Sequence, residues 1–172
     1  MPTATASRSI AAPAQELWEL VSDPHHLPRW WPRVERVEAV EGFAFTEVLR
    51  SDRGRIVRAD FLTLERDEQA LRLLWAQQIE GTPFSRILAA SETEVRLRSQ
   101  GDGGSAPTEV SISLAQTLPG VFKRGASAKT PLGAPLSQGA YGLFSQVGSP
   151  MVRRAAAVTV KGALDGLARI AG

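Results

Sequence analysis

The sequence contains no cysteine. A disulfide framework, a thiolate nucleophile and a cysteine-ligated zinc site are all excluded, and the chain is expected in a reducing, cytoplasmic setting. Histidine is almost as scarce, since the two present, His25 and His26, are neighbours. Zinc-type sites need three or four converging ligands, so no metal is expected. The first residues lack the basic start and apolar core of a signal peptide. Missing as well are a Gly-x-Ser-x-Gly elbow, a phosphate-binding loop and a dinucleotide fingerprint; the GDGG stretch at 101–104 reads as a turn. No cofactor is implied. Acidic residues nearly vanish towards the end: residues 119–172 carry seven Lys and Arg against Asp165 alone, whereas residues 1–118 carry 13 against 17 acids.

What is present is ordinary for a folded protein. Of 172 residues, 43 % are hydrophobic and 22 % charged, which excludes a disordered tail, a fibrous repeat and a polytopic membrane protein. That length supports one domain, 1–172, with one core. The basic end either solvates a helix and a loop or meets an anionic membrane surface. Nucleic acid is not an expected partner, because the sheet pattern interleaves charges of both signs rather than basic residues with aromatics.

Residues 3–11 alternate small and polar side chains up to Ile10 and are read as an edge strand. Pro13 then suits the first position of a helix whose stripe is Leu17, Leu20 and Val21, and Asp23-Pro24 ends it. A second short helical turn covers 25–31, closed by Pro32. From 33 to 118 strand patterns dominate: 34–41, 44–50, 56–65, 71–79, 83–90, 94–100 and 108–118, with turns at Gly42, at 51–54 and at 101–104. Val95 and Leu97 alternate with charged residues; so do Val110, Ile112 and Leu114 with polar ones. Leu71, Leu73, Trp75 and Ile79 share a side with Gln77. One apolar and one charged face mark an antiparallel sheet covered on one side.

The cover must be the helix predicted over 151–171, opening after Pro150, with a stripe of Val152, Ala156, Thr159, Val160, Ala163, Leu167 and Ile170. The stripe is rich in small residues. Either a thin helix on a curved sheet leaves a cavity, or small residues allow closer helix–sheet packing. Residues 119–150 read as an insertion: eighteen of the 32 are Gly, Pro, Ser or Ala. Its uncharged run is long enough to span a bilayer, but Pro131, Pro135 and Pro150 speak against a spanning helix. The insertion is expected either to lie over a cavity mouth as a lid or to lack fixed structure.

This order of elements is the helix-grip arrangement, an α+β fold with a curved antiparallel sheet of about seven strands, two short helices and a long C-terminal helix. Residues 10–24 (IAAPAQELWELVSDP) and 27–32 (LPRWWP), with MVRRA at 151–155 and ALDGL at 163–167, resemble the START-related superfamily that includes polyketide cyclases, birch-pollen-allergen-like proteins and coenzyme-Q-binding proteins. The resemblance spans nearly all of the chain outside 119–150. It implies a ligand held between the concave sheet and the last helix. Trp31, Phe61, Leu73 and Trp75 would line that space, with Val95, Leu97, Ile112 and Leu114 from later strands and Thr159 and Ala163 from the helix.

Buried polar groups are where catalysis would lie. Arg58 and Asp60 share one face of their strand, but Val57, Ala59 and Phe61 make the more apolar face, so the charged pair is expected to point outward. Gln77 is the inward polar candidate, a hydrogen-bonding anchor rather than a catalyst. His25 and His26 suit a capping or surface role better than a general base. The leading expectation is binding or transport of a hydrophobic small molecule such as a lipid, quinone or polyketide-like compound, oriented by Gln77 and Thr159. The alternatives are a cyclase/dehydrase-type enzyme, with Arg58, Asp60 or His26 as its acid–base residue, and an interaction module docking through the basic end.

Overall fold

The computed structural model describes residues 3–119 and 138–172, with side chains for 4–119 and 150–172. The chain begins with β1 (Thr3–Ile10) and then α1 (Ala14–Ser22), which Pro13 precedes in an extended conformation. Leu17, Trp18 and Val21 recur at helical spacing and are all buried. Asp23, extended ahead of proline, stops this helix. Its carboxylate accepts the His25 backbone N–H at 3.0 Å and sits 2.8 Å from His25 Nδ1. That contact opens a 3-10 turn over Pro24–His26, which runs into α2 (Leu27–Trp30). Asp23 thus does the capping, with both histidines beside it towards the surface.

The rest of the sheet follows as hairpins: β2 (Val34–Glu41), β3 (Ala44–Arg50), β4 (Ile56–Asp67), β5 (Arg72–Gln77), β6 (Ala90–Ser99) and β7 (Thr108–Thr117). Gly42 and Gly54 turn the first two hairpins at φ +58° and +74°, a region open to glycine and strained for other residues. All seven strands join one antiparallel sheet in the order β1-β7-β6-β5-β4-β3-β2. Register shifts interrupt β2–β3 and β4–β5 pairing, with Ala39 at φ 50°. Such irregularities bend strands and increase twist, which makes the sheet concave. The convex face is laced with ion pairs, among them Arg96 to Glu94 at 2.6 Å and Arg98 to Glu109 at 2.7 Å. Pairs this exposed add little stability each, and their effect is to keep that face wet.

Three expectations change. Residues 83–90 are not an extended segment: Pro83–Arg86 is a 3-10 turn. Proline's fixed φ suits its first position, and Thr82 Oγ1 donates to the Ile79 carbonyl at 2.6 Å, closing the bend ahead of it. Strand β6 accordingly starts at Ala90, where it pairs with Thr117, four residues before the expected start at 94. The last helix, α3 (Gln138–Ala171), contains Pro150 instead of starting after it. A proline inside a helix removes one hydrogen bond and crowds the preceding turn, while the flanking turns keep their own bonds. Of the 119–150 insertion, residues 120–137 lie outside the described residues, and so does the lid expected there. No described helix is long and apolar enough to cross a membrane.

Helix α3 lies across β1, β7 and α2. Its buried positions are Ala156, Val160, Ala163, Leu164, Gly166 and Leu167. They close a core with Leu17, Trp18, Trp30, Val110 and Ile112. Thr108 ties this core to the loop after β1: wholly buried, it donates Oγ1 to the Ala12 carbonyl at 2.8 Å. A Thr108→Val variant keeps the shape and orphans that carbonyl. It is expected to lose about 1–2 kcal/mol in urea unfolding, and an unchanged midpoint would show that the bond contributes nothing.

Candidate functional site

Because α3 sits towards the β1–β7 side, the concave face of β3 to β6 is left partly open beside it. A cleft of about 280 Å³ occupies this place, near the lower end of the range for small-molecule sites. Its floor is apolar: Leu49, Val57, Phe61, Trp75 and Leu114. Trp31, in the bend after α2, forms one wall and meets Trp75 edge-on at 5.6 Å and 70°. Phe84 reaches it from the 3-10 turn before β6. Phe61 is braced by stacking on Phe45 at 5.4 Å and 9°. Rings held by edge and stacking contacts keep their orientation without a ligand, so the aromatic wall is preformed.

Of the residues expected around the ligand, Trp31, Phe61, Trp75, Gln77, Leu114 and Thr159 line this cleft. Val95, Leu97, Ile112 and Ala163 do not: they are sealed into the core, where α1 packs on β6 and α3 on β7. Leu73 is also core and, with Trp75 and Phe45, borders a much smaller crevice near α1. The division has a simple cause. Ile112 and Leu114 share a face of β7, but the helix covers the first and passes beside the second. Along the small-residue stripe, α3 packs closely at Ala163 and Gly166, and Thr159 borders the cleft. The Thr159 hydroxyl donates to the Ala155 carbonyl at 3.0 Å, leaving only acceptor lone pairs to offer a ligand.

Arg58 and Asp60 lie on the convex face as expected. Arg58 pairs with Glu38 at 3.4 Å, and Asp60 accepts from Thr46 Oγ1 at 2.6 Å. His26, half-exposed beside Asp23, lies outside the cleft as well. Among the described residues no three His, Asp or Glu side chains are grouped to share a metal.

The sequence reading passed over Glu47. It stands on β3 between Phe45 and Leu49, paired laterally with Ala59 of β4 and Val37 of β2. Its side chain turns to the concave face and lines the cleft, with 2 % of the residue exposed. Oε1 has no hydrogen-bond partner. Burial pushes its pKa up from the ordinary 4.5 to about 8, because desolvation penalises the charged form and no cation offsets it. The signal was the alternation itself: Phe45, Glu47 and Leu49 recur at period two, which puts an acid in an apolar row. Arg33 and Arg50 stand at the rim, the first 2.8 Å from Asp52 and the second paired with Glu35. Those partners occupy the guanidinium groups on the solvent side.

The whole chain, residues 1–172, matches the family described as polyketide cyclase / dehydrase and lipid transport. Solved structures with the same architecture include the Zhui aromatase/cyclase from a Streptomyces species, with TM-score 0.70 and 16 % identity, covering 98 % of this chain and 92 % of that one. A START superfamily protein from Mycobacterium smegmatis gives TM-score 0.65 at 14 % identity over 98 % of this chain and 96 % of its own. A protein from Thermus thermophilus gives 0.60 at 20 % identity, covering 99 % and 100 %. At such identities the likeness shows the fold, the helix-grip fold of START-like proteins. No curated protein matches the chain.

Proposed function

The chain belongs to the polyketide cyclase/dehydrase and lipid transport family, and on that premise we propose that it binds a small, largely apolar molecule in the cleft between the concave sheet and α3. The observation that carries this reading is the aromatic-walled cleft of about 280 Å³ beside the helix. Apolar burial supplies the affinity, and preformed walls keep the ordering cost low. Binding is favoured over turnover because the acid–base candidates of the sequence, Arg58, Asp60 and His26, stand away from the cleft. Glu47 is the one acid among the lining residues, with no histidine or second carboxyl beside it, and a ligand-orienting role fits that setting.

Native mass spectrometry of the purified protein, set beside a denatured control, is expected to show a co-purifying small molecule. A panel of fatty acids, quinones and aromatic ketones is expected to raise Tm by several degrees and to quench fluorescence from Trp31 and Trp75. Filling the floor with Leu49→Trp should abolish both responses while the protein stays folded. An empty wild type that no member of the panel stabilises would overturn the reading.

A further inference from the structure

Among the described residues, the cleft lining contains one fully buried side-chain oxygen without a hydrogen-bond partner. Glu47 is almost wholly buried, its Oε1 has no partner, and it shares the lining with Leu49, Val57, Phe61 and Trp75 as well as with neutral polar side chains. A buried polar atom without a hydrogen bond weakens the fold, so its presence at a ligand-sized opening suggests that a ligand completes it. We propose that Glu47 is the specificity-determining group of the cleft, its carboxylic acid O–H donating to an acceptor oxygen, of the ketone or amide kind, on an otherwise apolar ligand. This rests on the binding reading given above and adds which molecules the site prefers.

The chemistry of the surroundings decides between the two forms a carboxyl can take. A carboxylate would call for a counter-cation, yet the rim's Arg33 and Arg50 are taken up by Asp52 and Glu35 on the solvent side. The acid form needs no counter-charge. Burial holds the acid form up to about pH 8, so it persists at neutral pH. The other ionisable side chains lining the cleft are those two arginines, one on the bend before β2 and one at the end of β3. The elements facing Glu47 contribute neutral groups: Val57 and Phe61 of β4, Trp75 and Gln77 of β5, Ser91 and Thr93 of β6, Leu114 and Gln116 of β7, and Thr159 of α3. A ligand oxygen at this depth therefore finds a strong donor, and a hydrocarbon group in the same place leaves that donor orphaned.

Two probes of nearly equal shape separate the cases: 2-acetylnaphthalene, which carries the acceptor, and 2-isopropylnaphthalene, which does not. By isothermal titration at pH 6.5 the wild type is expected to bind the ketone about fivefold to tenfold more tightly. At pH 9.5, where the donor proton is gone, that preference should disappear. Glu47→Gln retains an N–H donor and should keep the preference at both pH values. Glu47→Leu should abolish it and favour the hydrocarbon. Circular dichroism establishes that both variants are folded. Equal affinities in the wild type, or a preference that survives in Glu47→Leu, overturn the assignment of Glu47 and leave the cleft reading standing. If neither naphthalene binds, the cleft reading fails and this assignment falls with it.

Discussion

Gly166→Ala is expected to destabilise the protein by about 3 kcal/mol or more, enough to leave little folded material. An added Cβ would stand 2.3 Å from the Trp30 carbonyl oxygen and 2.9 Å from its carbonyl carbon and Cα. All three are backbone atoms, so no side-chain rotation relieves the clash. Helix α3 would have to lift off α2, exposing Leu167 and Trp30, both buried. Gly162, one turn earlier, supplies the control. A Cβ there would meet the ring of Pro32 at 3.4 Å, an ordinary contact. Gly162→Ala should be neutral or stabilising, since alanine is the better helix former by about 1 kcal/mol. Urea midpoints read the difference, and similar midpoints for the two variants would refute this account of the helix crossing.

Stability is expected to be greatest near pH 5 and to fall as the pH approaches 8. In the unfolded chain Glu47 ionises at its ordinary value of 4.5; in the folded protein it keeps its proton to about 8. Between those values the folded state binds a proton that the unfolded state has lost, so unfolding becomes easier with every pH unit. The slope approaches about 1.4 kcal/mol per unit, for a total of several kcal/mol. The contribution is complete below 4.5 and gone once the pH passes 8. The acid limb has the opposite sign. Hydrogen bonds from Arg50 and Arg36 hold Glu35 and Glu38 below the usual carboxylate range, so their support is present at neutral pH and lost on acidification. Glu47→Gln should flatten the alkaline limb and leave the acid limb in place. Tm followed from pH 4 to 9 for both proteins checks this, and parallel curves would mean that Glu47 is solvated and ionised in the native state.

The sheet was readable residue by residue because half-buried antiparallel strands repeat every two positions. Val95 and Leu97, like Val110 and Ile112, are buried as that period requires. Proline and glycine marked the helix ends and hairpins for equally local reasons. Where the cleft opens was not readable in the same way. Alternation puts Ile112 and Leu114 on one face, but the landing place of α3 decides which is sealed and which is exposed to a ligand. Phe84 was hidden by a proline that bends the backbone where an apolar run suggested extension. Glu47 could have been found, had an acid in the Phe45–Leu49 row been weighed as an inward group. The counter-signal was its setting between Thr46 and Val48, which leaves neither face of β3 wholly apolar or wholly polar.

The placement of β1 at the edge of the sheet has a consequence for biosynthesis. Among the described residues its strand partner is β7, with Ala4 opposite Leu114 and Ile10 opposite Thr108. Strands β2 to β7 each pair with their neighbour in sequence, so their partners are made one after another. The first strand waits roughly ten seconds, at ordinary elongation rates, until β7 has been made. Closure comes later still, when Gly166 reaches the Trp30 carbonyl and Arg8 finds Asp165 across an interval of 157 residues. Until then the part of the inner face that α3 covers, with Val110 and Ile112, is exposed. Its protection in the cell falls to chaperones or to rapid completion of the chain, and a ribosome stalled before α3 would release an aggregation-prone half-grip.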